Sequence, residues 1–177
     1  MRYLTADEIE LRVGTVGAKG VTVLCYKNAR VDRAILDEEF GQMNWVCDYK
    51  ELKGRMYCGI GVWDENKQTW VYKWDCGTES NTEKEKGEAS DAFKRAGFRW
   101  GIGIELYNSP FIFLPVATVK DGNRYKMSNP YELSGMYVSR IVTDRGIITE
   151  MDIAQKNKII WSTDRHKVGL DVDRSAA

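Results

Sequence analysis

The sequence predicts an α+β protein: an antiparallel three-stranded meander packed on a long helix, with flanking helices and a small C-terminal β appendage. Three observations predict it. Three runs rich in Trp, Tyr, Val and Cys (NWVCDYKEL, RMYCGIGVWDE and TWVYKWDCG) follow one another with only short turns between them. A helical stretch comes next, EKEKGEASDAFKRAGFRWGIG, with small residues every third or fourth position and a Gly-Ile-Gly stop. After Pro110 the chain is again strand-like, with turn signals at short intervals. At 177 residues it suits one domain with a sizeable core and a modest extension.

Taken in order, the elements are these. Thr5 to Arg12 reads as a first helix, with Thr5 as N-cap and Glu8 at capping-box spacing. Gly14, Gly17 and Gly20 break that pattern, and Val21 to Tyr26 reads as a short strand. ARVDRAILDEEFG then places Val31, Ile35 and Phe40 near helical spacing and stops at Gly41. The three aromatic runs are joined by turns at Lys53-Gly54 and Asp64-Glu65-Asn66, too short for anything but antiparallel neighbours. The quoted helix follows. FIFLPV is an apolar strand, and VKDGNRYKMSNPYELSG is polar, with turns at Asp121-Gly122 and Asn129-Pro130. MYVSRIVTDRGIITEMDI reads as a hairpin turning at Asp144-Arg145-Gly146, and KIIW adds a third strand. The expected organisation is a core over 1–110, a β-rich extension of the same domain over 111–164 and a flexible polar tail over 165–177.

Composition narrows the function. Lys plus Arg equals Asp plus Glu at 26 each, so any nucleic-acid site must be a local patch rather than a global field. The longest apolar runs are too short to span a bilayer, and MRYLTADEIE has no apolar signal-peptide region. A cytoplasmic protein with no membrane partner is expected. Cys25, Cys47, Cys58 and Cys76 form no Cys-x-x-Cys pair and His166 stands alone near the end, so they read as reduced small hydrophobes, with no metal site and no cofactor.

The long helix has two distinct sides. At about 100° per residue, Ala89, Ala92, Phe93, Ala96 and Trp100 fall on one face and form a core stripe. The opposite side carries Asp91, Lys94, Arg95 and Phe98, with Arg99 at its margin. An aromatic ring flanked by cations suits a sequence-tolerant nucleic-acid groove, charge for phosphates and a ring face for bases. The same cations also answer the C-terminal end of the helix dipole, as Glu83, Glu85 and Glu88 answer its start. Chemistry alone leaves both readings standing.

A resemblance separates them. Glu88, Ala89, Asp91, Lys94, Arg95, Ala96, Trp100 and Gly101 match, without a gap, the central helix of the Rad-fifty-two family of single-strand annealing proteins. ARVDRAILDEEFGQMNW is similar to that family's Arg-Val helix ending in Phe-Gly before a Trp strand, and KWDCG to its strand ending Asp-(apolar)-Gly. The resemblance spans Thr5 to Leu106 and looks closest to short phage and bacterial members. Where eukaryotic members carry a third basic residue this chain has Phe98, with Arg99 adjacent, and the long C-terminal region of those members has no counterpart. The resemblance implies a β-β-β-α core and a ring of subunits. It also implies single-stranded DNA held in a positive groove by Lys94 and Arg95, with Arg30 from the preceding helix. Partners on this reading are single-stranded DNA and further copies of the chain, with a single-strand-binding protein as an additional candidate. Arg99 and Phe98 join the site; Arg33, Lys73 and Lys86 are weaker candidates, since Lys84 and Lys86 lie in an acidic run and Lys73 alternates with Tyr72 and Trp74.

Two rival activities compete. Glu51 and Lys53, with Asp48 or Asp37 upstream, have the bare form of a metal-dependent nuclease motif, whose carboxylates must converge on a cation. A helix on a three-stranded sheet also serves non-catalytic RNA-binding modules, although Glu83, Glu85 and Glu88 occupy the helix start that such modules make basic. A ring or filament protein with no role on DNA is a third, structural possibility. Tyr26, Trp45, Trp63, Trp70 and Trp74 read as core filling rather than base platforms.

Overall fold

The computed structural model describes residues 1–78 and 84–173, with side chains from 87 onward in the second segment. The chain divides into two compact units: Met1–Tyr3 with Lys27–Ile104, and Leu4–Tyr26 with the chain from Glu105 onward. The units are interleaved in sequence: apart from Met1–Tyr3, the first falls between the two parts of the second.

The first unit holds the expected meander and helix. Helix α1 (Ala29–Phe40) starts at Asn28, whose side chain accepts from the backbone N–H groups of Arg30 and Val31, and stops at Gly41 with φ 81°. Strands β3 (Trp45–Leu52), β4 (Arg55–Asp64) and β5 (Thr69–Cys76) form an antiparallel sheet in that order. The β3–β4 turn is two residues long, and both Lys53 and Gly54 have positive φ, the tight hairpin that matches strand twist. Helix α2 (Lys84–Arg99) packs on β4 and β5. Ala92 and Ala96 are fully buried and let the helix lie close over Cys58, Ile60 and Val62, while Trp100 Nε1 donates to the Ile60 carbonyl at 3.0 Å. Beyond the helix, Gly101 takes φ 94°.

The second unit departs from expectation at its start. Thr5 to Arg12 is not a helix: only a 3-10 turn forms at Ala6–Glu8, where the Glu8 carboxylate accepts from the Thr5 N–H. Strand β1 (Glu10–Gly17) follows at once and pairs with β2 (Gly20–Tyr26). The physical reason is period. Leu11 and Val13 alternate with polar residues, and a ladder to Cys25 and Val23 satisfies their backbone groups, so the capping signal governs one turn only. The flanking helices thus reduce, among the described residues, to α1 and short 3-10 turns.

Strand β6 (Ile112–Leu114) adds to β2 on the side away from β1. The polar stretch folds as a hairpin of β7 (Thr118–Asp121) and β8 (Arg124–Met127). Strands β9 (Tyr137–Asp144), β10 (Ile147–Gln155) and β11 (Lys158–Ser162) make a second meander, centred on β10, with Met151 and Ile153 fully buried. The polar end is tied down as far as Val172. Asp164 caps a 3-10 turn at Arg165–Lys167, Gly169 donates to Ile159 at 2.8 Å and Val172 to Asn157 at 3.0 Å. Among the described residues no helix is long and apolar enough to cross a membrane. All four cysteines are free thiols, with Cys47 Sγ 3.4 Å from Cys58 Sγ on adjacent strands.

Candidate nucleic-acid interface

The cations gathered on α2 by sequence divide in space between two carboxylates. On the α1 side stands Asp32, fully buried and ion-paired with Lys27, itself buried. Gly97 makes this approach possible, because a Cβ there would overlap Asp32 Oδ1. Burial pushes the Asp32 carboxyl up to about 6, against the opposing pull first of Lys27 and then of Lys94. Asp32 Oδ2 is buried with no hydrogen-bond partner among the described residues. Lys94, half-buried, therefore stands beside a carboxylate that already has a cation.

The β5 side is built on Asp75. Its side chain is 13% exposed and takes Arg95 Nε on Oδ1 at 3.3 Å and Arg99 Nε on Oδ2 at 3.0 Å. Burial raises this carboxyl, but the Cys76 N–H and the two guanidinium groups outweigh that and hold it below the ordinary range. Lys73 donates to the Arg99 carbonyl at 3.0 Å and lies 4.1 Å over the Trp100 ring. It answers the orphan carbonyls and negative dipole at the helix end, a role the sequence reading gave to Lys94, Arg95 and Arg99 and not to Lys73.

Lys94, Arg95 and Phe98 share the outward side of α2, with Phe98 and Lys94 half-buried and Arg99 exposed at the margin. Asp91, on the same side, accepts from the Thr78 N–H and hydroxyl at 2.9 and 3.0 Å. Arg30 and Arg33 lie one turn apart on α1, both exposed. The side chain of Lys86, like that of Lys84, lies outside the described residues. Arg95 and Arg99 keep side-chain exposures of 41% and 57% while bridged to Asp75.

The nuclease motif does not assemble. Asp48 and Glu51 are three apart on one strand and so project from opposite faces, and Lys53 sits in the hairpin turn at φ 54°. Among the described residues, no three His, Cys, Asp or Glu side chains converge as a metal site would require.

Two features escaped the sequence reading. The Lys27–Asp32 pair had no signal beyond one acidic residue on an otherwise apolar helix face and a lysine just before the helix cap. The tryptophans are also not all core. Trp45 is, with its ring 6.3 Å from Phe93 and its Nε1 donating to Asp37 at 2.7 Å. Trp63, Trp70 and Trp74 instead share the sheet face turned away from α2, where Gly59 and Gly61 lie opposite Trp74 and Tyr72. Gly-x-Gly on one strand facing Tyr-x-Trp on the next was the available signal. Comparison of the chain with protein-family models, with curated proteins and with solved structures finds no match.

Proposed function

We propose that the protein binds single-stranded DNA without sequence preference and promotes annealing of complementary strands. On this reading it acts in the cytoplasm as a closed ring of identical subunits, with no covalent chemistry. The observation that carries the reading is the outward side of α2. There Arg95 and Arg99 stay substantially exposed while bridged to Asp75, next to Phe98 and Lys94, with Arg30 and Arg33 exposed on α1. Guanidinium groups that share a carboxylate are ordered in advance for phosphate and suit bidentate anion contacts. A neutral subunit is compatible with such a role, because a ring repeats one small basic spot into a continuous track. The three sequence motifs shared with the annealing family support it independently.

The test is a titration of single-stranded and duplex oligonucleotides at several salt concentrations, with a strand-annealing assay alongside. Lys94→Ala/Arg95→Ala should weaken binding uniformly across sequences, flatten the salt dependence and slow annealing. It removes a part-buried bridge but leaves Asp75 still paired with Arg99, so the fold should survive. Equal affinity for duplex, or a double variant that anneals like wild type while melting earlier, would sink the proposal. Sedimentation showing only the 20.3 kDa species at micromolar concentration would remove the ring.

A further inference from the structure

The sheet face opposite α2 is built differently from a buried or ordinary solvated face. Strand register places Lys50 with Tyr57, Asp48 with Gly59 and Trp74, Val46 with Gly61 and Tyr72, and Trp63 with Trp70 on this one side. Two glycines in the middle strand leave no side chains at its centre. The neighbouring rings fill that space: a Cβ at Gly61 would lie 2.7 Å from the Tyr72 ring, and one at Gly59 would overlap the Trp74 ring. Both rings are thereby laid across the middle strand instead of standing up from their own. Their planes differ by 21° with centroids 5.8 Å apart, and Trp70 meets Trp63 edge-on at 5.5 Å. Trp70 and Tyr72 remain 37% and 36% exposed.

The charges around these rings favour an anion. Lys50 and Arg55 are exposed on the same side, and Lys50 Nζ already lies 4.3 Å over the Trp74 ring. The acid of this face, Asp48, is engaged by the Tyr72 hydroxyl, a bond that raises the Tyr72 pKa. The natural occupant is thus flat and π-rich and carries negative charge at its edge.

The geometry points to a base-stacking platform: Tyr72 and Trp74, floored by Gly61 and Gly59, take unpaired nucleobases of a single strand while Lys50 and Arg55 meet its phosphates. This rests on the reading of the protein as a single-strand binder and extends it to a second contact region. Strand β5 links the two regions. Alternate residues send Lys73 and Asp75 toward the α2 cations and Tyr72 and Trp74 to the platform, and β5 has no outer strand partner among the described residues. A strand crossing this edge meets the α2 cations on one side of the sheet and the rings, with Lys50 and Arg55, on the other.

The experiment compares a labelled oligothymidylate with a strand of equal length made of abasic sites, by fluorescence anisotropy on the full chain. The wild-type protein should bind the oligothymidylate at least tenfold more tightly, since stacking needs bases and phosphate contacts do not. Tyr72→Leu/Trp74→Leu, which keeps apolar cover over the glycines, should bring the two affinities to within about twofold. Lys94→Ala/Arg95→Ala should weaken both strands alike and keep the preference. Equal wild-type binding of both strands overturns the platform and leaves the single-strand reading in place. Failure to bind either strand overturns both. A preference that survives Tyr72→Leu/Trp74→Leu locates the base contacts elsewhere. Loss of the oligomer in that variant with the preference intact makes the face a contact between copies, which also overturns the platform. The wild-type comparison decides even if the variant does not fold.

Discussion

Stability of the α1–α2 pair should fall as pH rises through the range where most proteins gain it. The cause is Asp32, whose carboxyl is raised from an ordinary 3.8 to about 6 by burial at the helix contact. A group with a folded pKa above its unfolded one is protonated in the native state while ionised in the unfolded chain. The native form then binds more protons between pH 4 and 6, so stability is fully present below about pH 4 and is lost as pH passes about 6. At 1.36 kcal/mol per pKa unit, the displacement is worth about 3 kcal/mol. Other carboxyls pull the opposite way: Asp75, Glu39 and Asp64 are all lowered. The informative quantity is therefore the difference between wild type and Asp32→Asn, which has no titrating group at this position. Relative to its value at pH 4, that difference should move toward the variant by up to about 3 kcal/mol by pH 7. Urea unfolding followed by tryptophan fluorescence is the assay, because Trp45, Trp63, Trp70, Trp74 and Trp100 all belong to the first unit, so the signal reports chiefly on it. A difference that does not change with pH, or one that grows in favour of wild type as pH rises, would refute the account of Asp32.

Two further outcomes follow from the same contact. Oligothymidylate affinity should increase between pH 7 and 5.5, because protonating Asp32 removes the negative charge between Lys27 and Lys94; Asp32→Asn should show high affinity throughout and no such pH step in anisotropy titrations. Gly97→Ala should lower the melting temperature although Ala is the better helix former by about 1 kcal/mol, because its Cβ overlaps the buried Asp32 carboxylate and overpacking of this kind costs about 1–3 kcal/mol or more. A rise in melting temperature would mean the helices do not meet there.

The meander and its helix could be read in the sequence because local signals and tertiary demands agree there. Lys53-Gly54 asks for a two-residue turn and obtains it, and Asn28 and Gly41 bound α1 as their cap chemistry requires. Thr5 to Arg12 misled because a genuine capping signal sits directly before a strand, and pairing with β2 outweighs it. The basic cluster was visible as residues but not as a circuit. Helix periodicity puts Lys94, Arg95 and Arg99 on one side, yet only tertiary packing reveals that Asp32, from a different helix, stands by Lys94 and that Asp75, from a strand, takes Arg95 and Arg99. The aromatic face was hidden for a related reason. Composition shows Trp and Tyr in strands, but which side of the sheet they occupy depends on register against Gly59 and Gly61.

The interleaving of the two units constrains how the chain can be cut and how it folds. Strands β1 and β2 leave the ribosome well before β6, yet Val21 and Val23 of β2 pair with Leu114 and Ile112 of β6, which are made only after the whole first unit. The first unit is in effect an insertion spliced into the other, closed by residues 27–104 apart from the Met1–Tyr3 segment, whose described ion pairs lie at the surface. A fragment ending near residue 110 would strand the β1–β2 hairpin without its third strand. Excision at both junctions would instead remove a self-contained module together with every cation of the proposed groove.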